Sequence, residues 1–346
     1  MHYAKTLRAP LSFPLVMPLL WTLLAGTAFG MRTDKAQAEW IYREAAIMGT
    51  RCAVEVWSDD RARAEQAIES VFADMRRIDL LMSTWKPDTQ LARVNQRAYE
   101  EAVVIDPELF ELLATALDYS RETDGAFDIT YASVGYLYDF RRHVHPDGSA
   151  ISAALPGIDY RHVQLDRARR TVRFTQAGTR VDLGGIAKGH AVDRGIELLR
   201  AAGFDRAMVN SGGDTRIIGD RFGKPWIVGI RDPDNAAVSF LRMPLTDAAI
   251  STSGDYERYF DEGGQRYHHI IDPASGVSAR SLRSATVIGP TALRTDALST
   301  SVFVLGPERG IELINRLPDV DAVVVTPQKK VLYSDGLEPP PASKPD

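Results

Sequence analysis

The chain has 346 residues, 45% of them hydrophobic and 25% charged. That balance is globular, with apolar side chains enough for one large domain or two lobes, and a mean hydropathy of −0.18 excludes a polytopic membrane protein. The formal charge of −5 argues against a nucleic-acid partner, since neutralising phosphates needs clustered Lys and Arg.

The N-terminus has a composition of its own. Lys5 and Arg8 precede "LSFPLVMPLLWTLLAGTAFG", a run without charge, and then Ala36-Gln37-Ala38 offers a small-x-small cleavage site. This is the plan of a secretory signal peptide over residues 1–38, with a cut after Ala28 as an alternative site. The competing reading is an uncleaved anchor, because the apolar run is about long enough to span a bilayer if Pro14 is tolerated. Either way the expected location is exported and periplasmic, tethered to the inner membrane if the signal stays. Cleavage after Ala38 removes four of the 41 Lys/Arg and one of the 46 Asp/Glu, leaving a net charge of −8. No cysteine lies near the cut, so no lipoprotein attachment is expected. Cys52, the sole cysteine, cannot form an internal disulfide and reads as a core thiol.

In chain order, "MGTRCAVEVW" (48–57) alternates as a strand. A helix follows, capped by Asp59 or Asp60, with Ala64, Ile68, Val71, Phe72, Met75, Ile78 and Met82 on one face. Asp106 and Pro107 open a second helix that Gly125 closes. Residues 141–160 read as a polar surface excursion. Strands are expected at "HVQLD", "TVRFTQ" and "TRVDL", then a helix from Ala187 to Ala202 with Ala191, Ile196, Leu199 and Ala202 inward. Strands follow at "RAMVNSG", "PWIVGIRD", "SFLRMPL", "RYHHIID" and "SATVIG". Helices at "TDALSTSVFVLG" and "PERGIELINRL" lead to strands "DAVVVTP" and "KVLYSD". A proline-rich tail, 337–346, is expected to be disordered. Strands in antiparallel-looking pairs between helices predict an α+β fold rather than a doubly wound sheet.

The chemistry gathers at "VDLGGIAKGHAVD" (181–193), where a strand gives way to a helix through Gly184 and Gly185, with Lys188 beside them. Glycines would permit positive φ and close approach of a ligand. The helix N-terminus offers unpaired N–H groups, and Lys188 adds a full charge. The combination suits a phosphate or diphosphate, although it matches neither GxGxxG nor GxxxxGK[ST]. A tight turn with a solvated lysine accounts for the same residues. "DGAFDIT" (124–130) places Phe127 and Asp128 after a helix stop. "YHHIIDPASG" (267–276) puts His269 three residues before Asp272, which also reads as a turn initiator. If 266–272 is a strand, His268 and His269 face opposite ways, with His269 on the side of Ile271. "RTDALST" (294–300) sets Asp296 and Thr300 at i, i+4, one face of a helix and a hard-oxygen pair fit for Mg²⁺, or else a cap and a back-bonded hydroxyl.

Together with "MGT" (48–50), "LMSTWKPDTQLARVN" (81–95) and "NSGGD" (210–214), these segments, in this order, resemble the ApbE-type flavin transferases, FAD:protein FMN transferases. The resemblance covers nearly all of residues 39–336. It implies a two-lobed, T-fold-like α+β architecture of largely antiparallel sheets with a flavin cleft. It also implies an activity: FMN moves from FAD to a threonine or serine hydroxyl of a target protein through a phosphoester, and AMP leaves. By the resemblance, Met48, Trp85, Ala126, Phe127, Asp128, Asp182, Lys188 and Ile271 would contact FAD. Asp296, Thr300 and the carbonyl of Gly185 would hold Mg²⁺, and His269 would be the base. Trp85 stands where the family often has tyrosine, and Gly185 where it often has a small side chain. The implied partner is an exported or membrane-anchored redox subunit with a [DS]-G-[AS]-[ST]-[ST]-like motif; this chain contains no such motif. Two other readings of the same site are an FAD pyrophosphatase and a flavin-binding protein without turnover.

Overall fold

The computed structural model describes residues 38–337. The signal-peptide expectation lies outside them except for Ala38, as does the tail beyond Leu337. Leu337 itself is tied by its N–H to the Ser334 carbonyl at 3.1 Å.

Eight strands form one sheet whose spatial order is the chain order: β1 (Glu39–Ile47), β2 (Thr50–Ser58), β3 (Ala207–Ser211), β4 (Asp214–Ile218), β5 (Ala249–Gly254), β6 (Ser284–Gly289), β7 (Asp321–Val325) and β8 (Val331–Tyr333). Every neighbouring pair is antiparallel. The fold is therefore a meander into which the other elements are inserted, as an α+β class requires. The first strand begins before the expected one. Met48 and Gly49 are the two-residue turn of the β1–β2 hairpin, with Ile47 opposite Thr50 and φ of 54° and 71°, the twist that two-residue hairpins favour.

Alternation divides the sheet's side chains cleanly. One face, with Cys52, Val54, Val56, Val209, Ala285 and Val287, carries the main core under α1 (Arg61–Met82), α2 (Ala187–Ala201) and α3 (Ala292–Leu305). The predicted stripe on α1 is buried, and Asp60 caps it, accepting from the Arg63 N–H at 3.0 Å. The opposite face buries Ile217, Ile250 and Val323 beneath a two-stranded ribbon, Trp226–Asp232 and Asn235–Leu245. Trp40, Trp57 and Trp226 meet there edge to face.

The expected strand at 179–183 does not form. Its backbone is served by side chains and a loop instead. Asn95 bonds both the N–H and the C=O of Val181 at 2.7 and 2.9 Å, and Asp182 N–H reaches the Ile129 carbonyl at 3.0 Å. The strand expected at 266–272 stops at His268, after pairing Gln265–His268 with Tyr259–Glu262. The 141–160 excursion holds a short helix, Gly148–Ala154, beside a small core of Val134, Tyr138 and Ile271. Among the described residues no helix is long and apolar enough to cross a membrane.

Candidate active site

The N-termini of α2 and α3 meet over the helix face of the sheet. Gly189 makes this meeting feasible, since a Cβ there would lie 2.3 Å from the Ala292 carbonyl oxygen. Asp193, one turn further along α2, accepts from the first N–H groups of α3, Ala292 and Leu293, both at 2.9 Å. It also takes a guanidinium hydrogen bond from Arg216 of β4 at 2.7 Å. One carboxylate therefore caps a neighbouring helix and fixes its height on the sheet.

That docking places Lys188 between two acids. Its Nζ lies 2.6 Å from Asp214 Oδ2 and 3.3 Å from each oxygen of Asp296. The Gly189 N–H also donates to Asp296 Oδ2, at 3.0 Å. Side-chain exposure is 23% for Lys188, 2% for Asp214 and 4% for Asp296. Burial works against the ammonium, but Asp214 and Asp296 outweigh it and hold the Lys188 pKa above its ordinary value. Burial, and then the Asp214 charge, pushes Asp296 up to about 7 against the pull of Lys188. Lys188 is thus neither a solvated turn residue nor a free cation. Its strongest partner, Asp214, escaped the sequence reading, although "NSGGD" contains it; a strand-end aspartate gives no signal of which helix will cover it.

Asp296 is an interior residue of α3, whose cap is Thr291, and Thr300 lies one turn on with its hydroxyl 3.3 Å from Ser253 Oγ. Neither of the bland alternatives, cap or back-bonded hydroxyl, describes the pair. Gly185 is close by, where a Cβ would lie 3.3 Å from Thr300 Oγ1 and 3.2 Å from Phe127 Cε2. Gly184 and Gly185 do not adopt positive φ. Close approach is the reason for them, since a Cβ on Gly184 would meet Asp182 Oδ1 at 2.8 Å. Among the described residues no cluster of three or more His, Cys, Asp or Glu is arranged to hold a metal. Asp296, Thr300 and the Gly185 backbone offer hard oxygens only, the ligand type that Mg²⁺ takes, with water or substrate phosphates completing the shell.

Asp182 ties three segments together. It accepts from Thr84 Oγ1 at 2.5 Å, the Tyr131 hydroxyl at 3.1 Å and the Gly184 N–H at 2.7 Å. The Thr84 bond pins the loop that displays Trp85, whose side chain is 77% exposed. Ala126 and Phe127 are buried, Phe127 packing edge to face on Tyr119. The Asp128 carboxylate is turned inward, taking the Thr130 N–H at 2.8 Å and the Tyr160 N–H at 2.8 Å; burial raises its pKa. Ile271 is buried against Val134 and Tyr138. A cavity of about 760 Å³ opens at Met48, Gly49, Leu80 and Lys86; it reaches the predicted residues only through Met48 and is not lined by Lys188 or Asp296.

The two histidines differ sharply. His268 is a core residue, with Nε2 2.6 Å from the Ala279 carbonyl and Nδ1 accepting from the Ile270 N–H at 3.3 Å. His269 has a buried Nδ1 without a hydrogen-bond partner among the described residues. Burial, then the Arg258 charge, with smaller contributions from His268 and Lys188, lowers His269 to about 3, so its imidazole is neutral at pH 7. Arg258, also absent from the sequence reading, makes no ion pair among the described residues; its carbonyl accepts from the His269 N–H at 3.2 Å. Asp272 is a turn initiator, accepting from the Ala274 N–H at 3.0 Å and Ser275 Oγ at 2.7 Å.

The antiparallel α+β fold thus gathers a buried ammonium–dicarboxylate cluster, a hard-oxygen pair and an imidazole whose Nδ1 has no partner among the described residues. The ApbE family profile matches residues 48–324, and the chain belongs to the ApbE family. It is 35% identical over 322 residues to a FAD:protein FMN transferase of Treponema pallidum (strain Nichols), covering 88% of this chain and 89% of that one. To one of Klebsiella pneumoniae (strain 342) it is 31% identical over 84% and 90% of the two chains. The crystal structure of the ApbE protein of Thermotoga maritima superimposes with a TM-score of 0.80 at 32% identity, covering 86% of this chain and 98% of that one. The flavin transferase ApbE from Vibrio cholerae does so with 0.77 at 28% identity, over 86% and 98%. The resemblance and the fold class read from the sequence both hold.

Proposed function

We propose that the protein transfers the FMN moiety of FAD to a threonine or serine hydroxyl of an exported protein, with AMP as the leaving group. The observation that carries this reading is the junction of α2 and α3, where Lys188, Asp214, Asp296, Thr300 and Gly185 meet. The names borne by its relatives point the same way. Asp296, Thr300 and the Gly185 carbonyl are the residues that would hold Mg²⁺. When bound, the ion would supply charge neutralisation at the phosphate oxygens.

The chain's own residues do the rest. Lys188 offsets negative charge on the diphosphate and on the departing AMP phosphate. Trp85, held out by the Thr84–Asp182 bond, offers a stacking surface for an aromatic ring of FAD. The acceptor hydroxyl oxygen attacks the FMN phosphorus, and the bond from that phosphorus to the bridging oxygen breaks, the oxygen leaving with AMP. His269 takes the hydroxyl proton. With a basicity as low as the free site gives it, His269 would be a weak base. Burial causes the larger part of that depression; the negative charge of the diphosphate, arriving opposite Lys188 and Arg258, offsets the part that those two cations add and so raises the basicity of the imidazole.

The apolar segment at residues 11–30 supports placing the enzyme outside the cytoplasm, where exported acceptors are found. The test is to incubate the enzyme with FAD, Mg²⁺ and a polypeptide carrying the [DS]-G-[AS]-[ST]-[ST] motif. AMP release matched by flavin fluorescence on the denatured acceptor supports transfer. AMP and free FMN with an unlabelled acceptor would make the protein a pyrophosphatase instead.

A further inference from the structure

We propose that Asp214 is a positioning residue whose task is to hold the Lys188 ammonium aside, so that Asp296 can take up a divalent cation without expelling the lysine. The inference rests on the proposed function for the identity of the cation site. Three geometric facts lead to it.

The first is the asymmetry of the ion pairs. Lys188 lies 2.6 Å from Asp214 but 3.3 Å from both oxygens of Asp296, so Asp214 is the principal partner. The second is the use of Asp296's own oxygens. Oδ2 already takes the Gly189 N–H at 3.0 Å, whereas Oδ1 has only the long contact to Lys188. Oδ1 is the oxygen with free capacity. The third is burial, because all three groups sit in a low-dielectric junction where an unmatched charge is costly. One ammonium cannot compensate two carboxylates, so the cluster has room for a further cation.

Without Asp214 the balance reverses. Lys188 would have one carboxylate, Asp296, and the pair would close on itself. A divalent ion approaching Asp296 would then compete with an ammonium that has no other place to go. With Asp214 present, Asp296 is released at little cost, and Lys188 stays where it can face the diphosphate. Asp214 stands at the start of β4, paired with Ser211 across the Gly212–Gly213 hairpin turn.

The experiment is Mn²⁺ binding to the full chain without flavin, followed by the loss of the free-ion EPR signal. Asp214→Asn is expected to weaken Mn²⁺ about 10- to 100-fold, the usual cost of losing a group that orients a metal ligand from outside the coordination shell. The double variant Asp214→Asn/Lys188→Met is expected to recover most of that loss, because the competing ammonium is gone. A merely structural role for Asp214 predicts that the double variant binds no better than the single one, and that result would overturn the inference. Wild-type affinity in Asp214→Asn would overturn it as well. Failure of the wild-type chain to bind Mn²⁺ would overturn the cation site and this inference together, so the two failures are distinguishable. If Asp214→Asn alone does not fold, the cycle is read from the Lys188→Met side: because Asp214 acts through Lys188, adding Asp214→Asn to Lys188→Met should change Mn²⁺ affinity only about two- to threefold, and a loss of about tenfold or more would overturn the inference.

Discussion

The two faces of the eight-stranded sheet solve the same packing problem with opposite chemistry. The ribbon face is apolar and aromatic, with Ile217, Ile250, Trp226 and Leu245 buried together. The helix face begins the same way and then changes along single strands. On β5 the inward residues run Ala249, Ser251, Ser253, and the two serines reach Thr295 at 2.7 Å and Ser299 at 2.9 Å on α3. On β4 they run Ile218, Arg216, Asp214, the last two bound to Asp193 and Lys188. Apolar burial fixes the helices at one end of the sheet, and at the other end the same helices carry charges that only mutual pairing makes tolerable. The lesson is that the site is an edge of the core, and its geometry is inherited from the packing behind it.

If this division is right, the two faces respond differently to damage. The largest effect is expected from Asp296→Ala, which removes the anionic oxygen of the hard pair. Turnover should fall about 10²–10³-fold or more, while FAD binding stays measurable by calorimetry. Activity that persists with an unchanged Mg²⁺ requirement would move the site elsewhere. His269→Ala should slow single-turnover transfer by about 10²–10⁴. Because the His269 pKa is lowered to about 3, the free enzyme should show no acid limb from this residue near 6.5. Its contribution to stability is present above its unfolded pKa and lost as pH falls toward 3.

Trp226→Ala probes the other face. It should cost about 3–5 kcal/mol of stability, seen in denaturant melts, and leave the rate per folded molecule unchanged. A selective loss of rate would join the two faces functionally. His268→Ala belongs with Trp226 despite being next to His269. It breaks the bond to the Ala279 carbonyl and the edge contact with Phe303, and should lower the melting temperature while changing the transfer rate only a few-fold.

The smallest effect concerns Glu108, which binds His190 of α2 at 2.8 Å and Arg77 of α1. Burial opposes ionisation there, but Arg77 and His190 outweigh it and hold the carboxyl down at about 2. A lowered carboxylate pKa adds stability above the ordinary 4.5 and loses it as pH falls toward 2. Glu108→Gln should therefore melt earlier than wild type near neutrality, and the gap should close in acid.

Much of this was legible in the sequence. Helix stripes such as Ile68, Phe72 and Met75 repeat locally, and caps such as Asp60 announce themselves within a turn. Asp296 and Thr300 could be paired because a helix fixes their spacing. What lay hidden was tertiary. Asp214 and Lys188 are 26 residues apart, and only the docking of α2 on β4 joins them. Val181 alternates like a strand residue, yet Asn95 replaces its ladder partner. Arg258 reads as one charge in a polar turn until the hairpin folds it beside His269. The β1 strand gives a weak signal because residues 39–47 carry Glu39, Arg43 and Glu44 among the apolar side chains, as an edge strand does.

The central claim is that the α2–α3 junction reads the diphosphate of FAD. Calorimetry of the chain with FAD, FMN and riboflavin in the presence of Mg²⁺ tests it most directly. FAD is expected to bind at least about tenfold tighter than either smaller flavin, a difference of about 1.4 kcal/mol or more, and Lys188→Met to erase most of the difference. Equal affinities for the three flavins would contradict it.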